Sequence, residues 1–110
     1  MPGPVPDVIS RYFEADARRD TEAVVALFTD DAVVGDEGES WRGIGEIRAW
    51  REGAASRYQY TTEVYDTAHT GADEYLVSGR LDGNFPGGTV ELNWRFTIAG
   101  DRIRHLHIAS

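Results

Sequence analysis

The sequence predicts an α+β domain in which three helices of the first half close one face of an antiparallel sheet formed by the second half. Three observations predict this class. Apolar residues recur at helical spacing in three stretches before residue 58. After that residue, β-branched and aromatic residues broken by Gly and Asp indicate antiparallel strands. Because helices come first and strands follow, the two kinds of element form separate layers.

The three helical stretches differ in their end signals. Pro6 is acceptable in the first turn of the first helix, and Asp20 or Thr21 is the candidate N-cap of the second. The pair Asp30-Asp31 is expected to end that second helix. The third helix contains no Pro and carries Trp50 on its inner side. The first helix is expected at residues 5–16, the second between its N-cap at 20 or 21 and its end at 30–31, and the third from 43 to about 57.

Strands are expected on both sides of the third helix. Ala32-Val33-Val34 predicts a short strand that delivers Asp36 at its end, before a turn-rich stretch at residues 35–40. The clearest later strand alternates apolar and polar residues, which places Trp94 toward the core or a cavity. The four later strands are expected at residues 60–68, 75–81, 89–98 and 103–108.

The composition limits the classes of function. With 110 residues, of which 41% are hydrophobic, the chain suits one domain, expected at residues 5–110 after a flexible segment at 1–4. The absence of Cys excludes disulfides and thiolate chemistry. The formal net charge of −8 disfavours nucleic acid, and no apolar run reaches the length of a membrane span. We therefore expect a cytoplasmic protein without a nucleic-acid or membrane partner.

Four local strings carry a resemblance to a known family: Arg11-Tyr12-Phe13, residues 24–33, residues 41–47 and the final hairpin at 96–103. Together with the order of elements, they resemble the nuclear-transport-factor-2-like superfamily, in particular its SnoaL-like and ketosteroid-isomerase-like members. The resemblance implies a cone-shaped, curved antiparallel sheet whose concave face is closed by three helices over a pocket, and a homodimer formed through the sheet. The superfamily includes isomerases, dehydratases, cyclases, epoxide hydrolases and binding domains, so the fold does not fix the reaction.

The same resemblance implies a candidate active site. Tyr12 falls where the ketosteroid-isomerase-like branch has its oxyanion-hole tyrosine, and Asp36 where it has its proton-shuttling aspartate. Asp36 would then remove a proton α to the carbonyl of a small apolar compound, and Tyr12 would stabilise the enolate. From the residues alone, a solvated turn is the favoured interpretation of Asp36, and the resemblance makes the two interpretations equal. Tyr12 equally fits a core tyrosine whose hydroxyl bonds the backbone. The branch's third site residue, a protonated carboxylic acid, is replaced here by the bulkier Trp94, which indicates a smaller ligand or no chemistry.

Asp16 is a less expected candidate, because it lies one helical turn after Tyr12 on the same apolar face. A buried carboxylate there would need a partner: it could bond Tyr12, orient a water or pair with an Arg from the sheet. The alternative is a residue at a helix end that faces solvent, and this alternative is the favoured one. The further candidates for the pocket wall are Phe28, Trp50, Phe85 and Trp94.

His105 and His107 share one face of the last expected strand, a spacing that suits two metal ligands. A structural role is favoured, because no third ligand is evident and the resemblance implies an outward face. No phosphate-binding loop, nucleophile elbow or zinc-binding helix motif occurs, so neither a metal nor a cofactor is expected. Besides an isomerase or lyase, two alternatives remain: a binding module for an apolar ligand, and a structural dimer whose pocket is filled by Trp50, Trp94 and Phe28.

Overall fold

The computed structural model describes residues 6–36, 38–53 and 59–110. The expected flexible segment at 1–4, the first helix's start at Val5 and the third helix's end at Arg57 lie outside the described residues. The α+β class is confirmed. The elements are α1 (Asp7–Ala17), α2 (Thr21–Val25), β1 (Phe28–Asp36), β2 (Glu39–Arg42), α3 (Gly43–Glu52), β3 (Tyr60–His69), β4 (Glu74–Gly83), β5 (Thr89–Ala99) and β6 (Arg102–Ala109).

The six strands form one sheet in the order β2-β1-β6-β5-β4-β3. All neighbouring strands are antiparallel except β1 and β6, which run parallel. β2 and β3 are the two edge strands of the sheet, so the chain crosses the whole sheet between them, and α3 lies in this crossover. Parallel neighbours need such a long connection.

A bulge in β3 bends the sheet on the side opposite β1. The β3–β4 register shifts between Val64 and Asp66, and β4 carries Gly79 opposite Val64. A Cβ atom at Gly79 would lie 2.3 Å from the Glu63 carbonyl oxygen and 3.2 Å from the Trp94 ring. Bulges bend strands and increase their twist, and Gly permits the close approach of a neighbouring backbone.

The core lies between the helices and the concave face of the sheet. On β5, Trp94, Phe96 and Ile98 are buried whereas Arg95 is exposed, which confirms the predicted alternation. Tyr12 of α1 packs its ring edge-on against Phe96, with ring centroids 5.5 Å apart. Such aromatic pairs contribute beyond the area they bury. The largest fully buried side chains are Trp50, Phe28, Phe96, Ile47, Ile103, Leu106, Val24, Val34 and Val77.

Two predictions on the segment before α3 are wrong. The second helix ends at Val25, and the Asp30-Asp31 pair lies within β1. The stretch at residues 35–40 is mostly strand, since β1 continues to Asp36 and β2 begins at Glu39. Pairing of β1 with both β2 and β6 outweighs the local turn preference of these residues. The predicted N-cap is confirmed, because the Asp20 carboxylate accepts the Ala23 N–H at 3.1 Å.

Among the described residues, no helix is both long and apolar enough to span a bilayer.

Candidate functional site

A cavity of about 790 Å³ lies between the helices and the concave face of the sheet. Six of the predicted site residues line it, and Phe28 does not. Phe28 is instead buried behind Tyr12, with ring centroids 6.4 Å apart. The volume contradicts the alternative in which bulky side chains fill the pocket. The six residues are Tyr12, Asp16, Asp36, Trp50, Phe85 and Trp94.

Asp36 reaches the cavity from the end of β1, where it is half-buried. The Trp50 Nε1–H donates a hydrogen bond to Asp36 Oδ2 at 3.1 Å. The Trp50 ring is itself fully buried and packs against Trp41, with centroids 6.1 Å apart. The carboxylate is therefore oriented by a rigid donor rather than lying in a solvated turn.

Tyr12 is 2% exposed and lines the same cavity from α1. Its ring packs edge-on against Phe13, with centroids 5.3 Å apart, and against Phe96. Within the described part of the chain, its hydroxyl has no hydrogen-bond partner. Burial raises the pKa of Tyr12 well above its ordinary value, and the Asp16 carboxylate raises it further. The hydroxyl therefore keeps its proton and remains a hydrogen-bond donor at neutral pH.

Asp16 is buried, with 7% of its surface exposed, so the favoured solvent-facing alternative is wrong. Its Oδ1 accepts the Tyr60 hydroxyl at 2.8 Å and lies 2.8 Å from Arg51 Nη1. The cationic partner thus comes from α3 and not from the sheet. Burial, followed by the Asp16 charge, raises the pKa of Tyr60 to about 12. This Asp16–Arg51–Tyr60 network joins α1, α3 and β3 at one wall of the cavity.

Arg51 and Tyr60 line the cavity but are not among the site residues predicted from the sequence. A signal for Arg51 was present, since it follows the inward-facing Ile47 by four positions and therefore shares its helix face. A buried Asp16 also requires a cation. Tyr60 is the first residue of a strand, and nothing in the local sequence indicates which face of the sheet it occupies.

Trp94 and Phe85 are walls of the cavity and not part of this polar network. Trp94 is 4% exposed, and its ring lies edge-on to Phe13 with centroids 5.2 Å apart. Phe85 follows β4 in the turn that leads into β5. Both side chains limit the size of a ligand.

The His pair lies on β6, where His105 is half-buried and His107 is exposed. Burial lowers the pKa of His105, and the neighbouring His107 lowers it further. In residues 6–36, 38–53 and 59–110, no group of three or more His, Asp or Glu side chains is placed to hold a metal ion.

Comparisons with solved structures show the same fold. A candidate polyketide cyclase from Sinorhizobium meliloti is 38% identical, with a TM-score of 0.88, over 96% of this chain and 95% of that one. A protein with a ketosteroid-isomerase-like fold from Catenulispora acidiphila, solved with trimethylamine, is 15% identical, with a TM-score of 0.84, over 97% and 87% of the two chains. A Mycobacterium tuberculosis protein solved with estradiol-17β-hemisuccinate is 18% identical, with a TM-score of 0.80, over 94% and 91%.

Comparison with curated proteins finds no match. The family model of the SnoaL-like domain matches residues 9–106, which run from within α1 to within β6. This match covers nearly the whole chain and agrees with the resemblance noted from the sequence. The chain therefore belongs to the SnoaL-like domain family.

Proposed function

We propose that this protein is a cofactor-independent enzyme of isomerase or lyase type that acts on a small apolar carbonyl compound. Asp36 is the base, and Tyr12 donates a hydrogen bond to the carbonyl oxygen. The observation that supports this proposal is that both side chains line one cavity, where Trp50 holds the Asp36 carboxylate. A donor with a raised pKa and a fixed carboxylate suit proton transfer at carbon.

The reaction begins when Asp36 takes the proton from the carbon next to the carbonyl. The C–H electron pair then forms a C=C bond, and the carbonyl π electrons move to oxygen, which becomes an enolate. The Tyr12 O–H stabilises that oxygen without giving up its proton. In an isomerase, the C=O bond re-forms and protonated Asp36 gives the proton to another carbon. In a lyase, the C=O bond re-forms, the bond from the β carbon to the leaving group breaks, and the leaving group takes the proton from Asp36.

The relatives support a reaction of this kind. The similar protein from Sinorhizobium meliloti is a candidate polyketide cyclase. Closing a carbon ring onto a carbonyl group also requires removal of an α proton, so the same base and donor would serve. The apolar walls formed by Leu81, Leu92 and Trp94 favour a ligand with few polar groups.

Exchange of the α protons of 2-cyclohexenone into D₂O, followed by NMR, tests the proposal. Asp36→Asn should slow exchange by at least about a hundredfold, because the amide cannot accept the proton. Tyr12→Phe should slow it by about a hundredfold, because one oxyanion donor is lost. The control is Asp101→Asn in the exposed turn between β5 and β6. Equal rates for the wild type and Asp36→Asn would remove Asp36 as the base.

The second candidate function is a binding module for an apolar ligand. Trp94 favours it, because this buried aromatic residue stands on β5 where the resemblance implies a carboxylic acid. A ligand that raises the melting temperature equally in the wild type and Asp36→Asn, with no proton exchange in either, would support this alternative.

We further propose that the protein acts in the cytoplasm as a homodimer formed through the sheet. Val64 and Tyr65 on β3 support a contact there, because they are large apolar side chains with 44% and 50% of their surface exposed. Sedimentation at micromolar concentration should give twice the mass of the chain. A monomer mass would contradict the dimer without affecting the proposed reaction.

A further inference from the structure

We propose that Arg51 is a further catalytic residue and that its guanidinium, together with Tyr12, forms a subsite for the oxygen of the ligand. The subsite would take a carbonyl oxygen and stabilise the negative charge that this oxygen gains. This inference rests on the proposed function for its catalytic role. The oxygen-binding property itself can be measured separately.

The geometry of Arg51 supports this subsite. Arg51 follows Trp50 on α3, is 5% exposed and lines the cavity beside Tyr12. Its Nη1 forms an ion pair with Asp16 Oδ1 at 2.8 Å. Its Nε–H is buried and has no acceptor among the described residues. An unpaired donor buried on a cation is costly. The Nε–H has almost no accessible surface, so a ligand oxygen reaches it only when the side chain or its neighbours shift on binding, and that contact would recover the cost.

The surrounding charges select the kind of oxygen. Arg51 faces Asp16 in the ion pair, and Asp36 adds a second carboxylate to the same cavity. Among the described residues of the cavity wall, two Asp carboxylates stand against one guanidinium, which disfavours a ligand that is already anionic. An oxygen that is neutral in the free ligand and becomes negative during the reaction avoids this cost on entry. Arg51 and Tyr12 would then act mainly on the charged intermediate, which is where stabilisation accelerates a reaction.

Arg51 and Tyr12 influence each other electrostatically. Burial lowers the pKa of Arg51, but the neighbouring Tyr12, Asp16 and Tyr60 leave it above its ordinary value. The Arg51 charge in turn lowers the pKa of Tyr12, against the larger effect of burial. One donor is therefore permanently cationic, and the other keeps its proton. Two such donors on one oxygen form a stronger site than either alone.

The subsite is tested with 4-nitrophenolate, an anion that represents the charged intermediate and not the neutral ligand, and whose absorbance differs from that of its neutral form. Nitrobenzene serves as an uncharged ring of similar size. The double variant Asp16→Asn with Arg51→Gln removes both charges but retains the shape of the network, so no lone charge is left buried. We expect it to bind 4-nitrophenolate about tenfold more weakly than the wild type and nitrobenzene equally well. Arg51→Lys retains the charge without an Nε–H, so its affinity for 4-nitrophenolate should lie between those of the wild type and the double variant.

The matched control is Arg48→Gln on the same helix, because Arg48 pairs with Glu22 outside the cavity. It should bind both probes as the wild type does. Equal phenolate affinity in the wild type and the double variant would overturn the proposal. An equal loss of affinity for both probes would also overturn it, since it would show general damage to the cavity.

Asp36→Asn separates this inference from the proposed function. It should bind 4-nitrophenolate at least as tightly as the wild type, because a carboxylate has been removed. If it also exchanges the protons of 2-cyclohexenone at the wild-type rate, Asp36 is not the base. The role of Arg51 in phenolate binding is decided separately, by the affinities of the wild type and the double variant.

Discussion

At the scale of single residues, the Asp36 carboxylate depends on the hydrogen bond from Trp50. Trp50→Phe removes the Nε1–H donor but retains an aromatic ring against Trp41. We expect kcat for proton exchange to fall by about tenfold with little change in KM, because the proposed base is less well oriented while the cavity wall remains. Steady-state kinetics of the variant measure this split.

The control for this substitution is Trp41→Phe. Trp41 packs on the same Trp50 ring but does not bond Asp36. It should leave kcat close to the wild-type value. Equal loss of kcat in the two variants would mean that packing of the indole pair, and not the hydrogen bond, positions the carboxylate.

The residues of the site were predictable to different degrees. Tyr12 and Asp36 were expected at the pocket wall because of the family resemblance, and both line the cavity. The resemblance indicates a position in the fold, which the residue type alone does not. Arg51 was not, because a charged residue near a helix end usually faces solvent. Its burial follows from tertiary contacts with Asp16 and Tyr60, which lie 35 and 9 positions away in the sequence.

At the scale of elements, the bend between β3 and β4 depends on Gly79. Gly79→Ala places a methyl group 2.3 Å from the Glu63 carbonyl oxygen and 3.2 Å from the Trp94 ring. We expect it to lower the free energy of unfolding by about 2–4 kcal/mol, because backbone must move to relieve the clash. Urea unfolding followed by tryptophan fluorescence measures the loss.

Gly45→Ala in α3 is the control for the glycine substitution itself. A Cβ atom at Gly45 meets nothing within 4 Å, and the residue is exposed in the helix. This variant should be more stable than the wild type by about 0.5–1 kcal/mol, because Ala favours the helix. If Gly79→Ala is as stable as the wild type, the bulge does not constrain this position.

The elements that were not predicted are those that form by pairing with strands elsewhere in the chain. β2 has four residues, too few for a pattern of alternation, and becomes a strand by pairing with β1. The parallel pairing of β1 with β6 joins residues about 70 positions apart, and local sequence holds no signal for it. The later strands were predicted because they are long, alternating and joined by turn sequences.

At the scale of the whole molecule, the polar network joins two helices to the sheet around the cavity, so its protonation state affects the stability of the fold. The chain has no Lys and no Cys, and all 11 basic residues are Arg. Tyrosine is therefore the only side chain that titrates between about pH 9 and pH 12. Stability in this range reports on the buried tyrosines without competing transitions from other side chains.

Tyr60 should make the fold sensitive to alkaline pH. Its pKa is raised from 10.0 to about 12 in the folded chain, so the folded state holds the proton more tightly than the unfolded state. This contribution is complete below pH 10 and is lost as the pH rises through 12. The shift corresponds to about 2–3 kcal/mol at most.

Tyr60→Phe should lower stability at pH 7, because Asp16 loses a hydrogen bond, but should flatten the decline between pH 10 and 12. Tyr65→Phe, which alters an exposed hydroxyl, should keep the wild-type slope. Urea unfolding across this pH range measures both slopes, and an unchanged slope in Tyr60→Phe would show that Tyr60 ionises equally easily in the folded and unfolded chain.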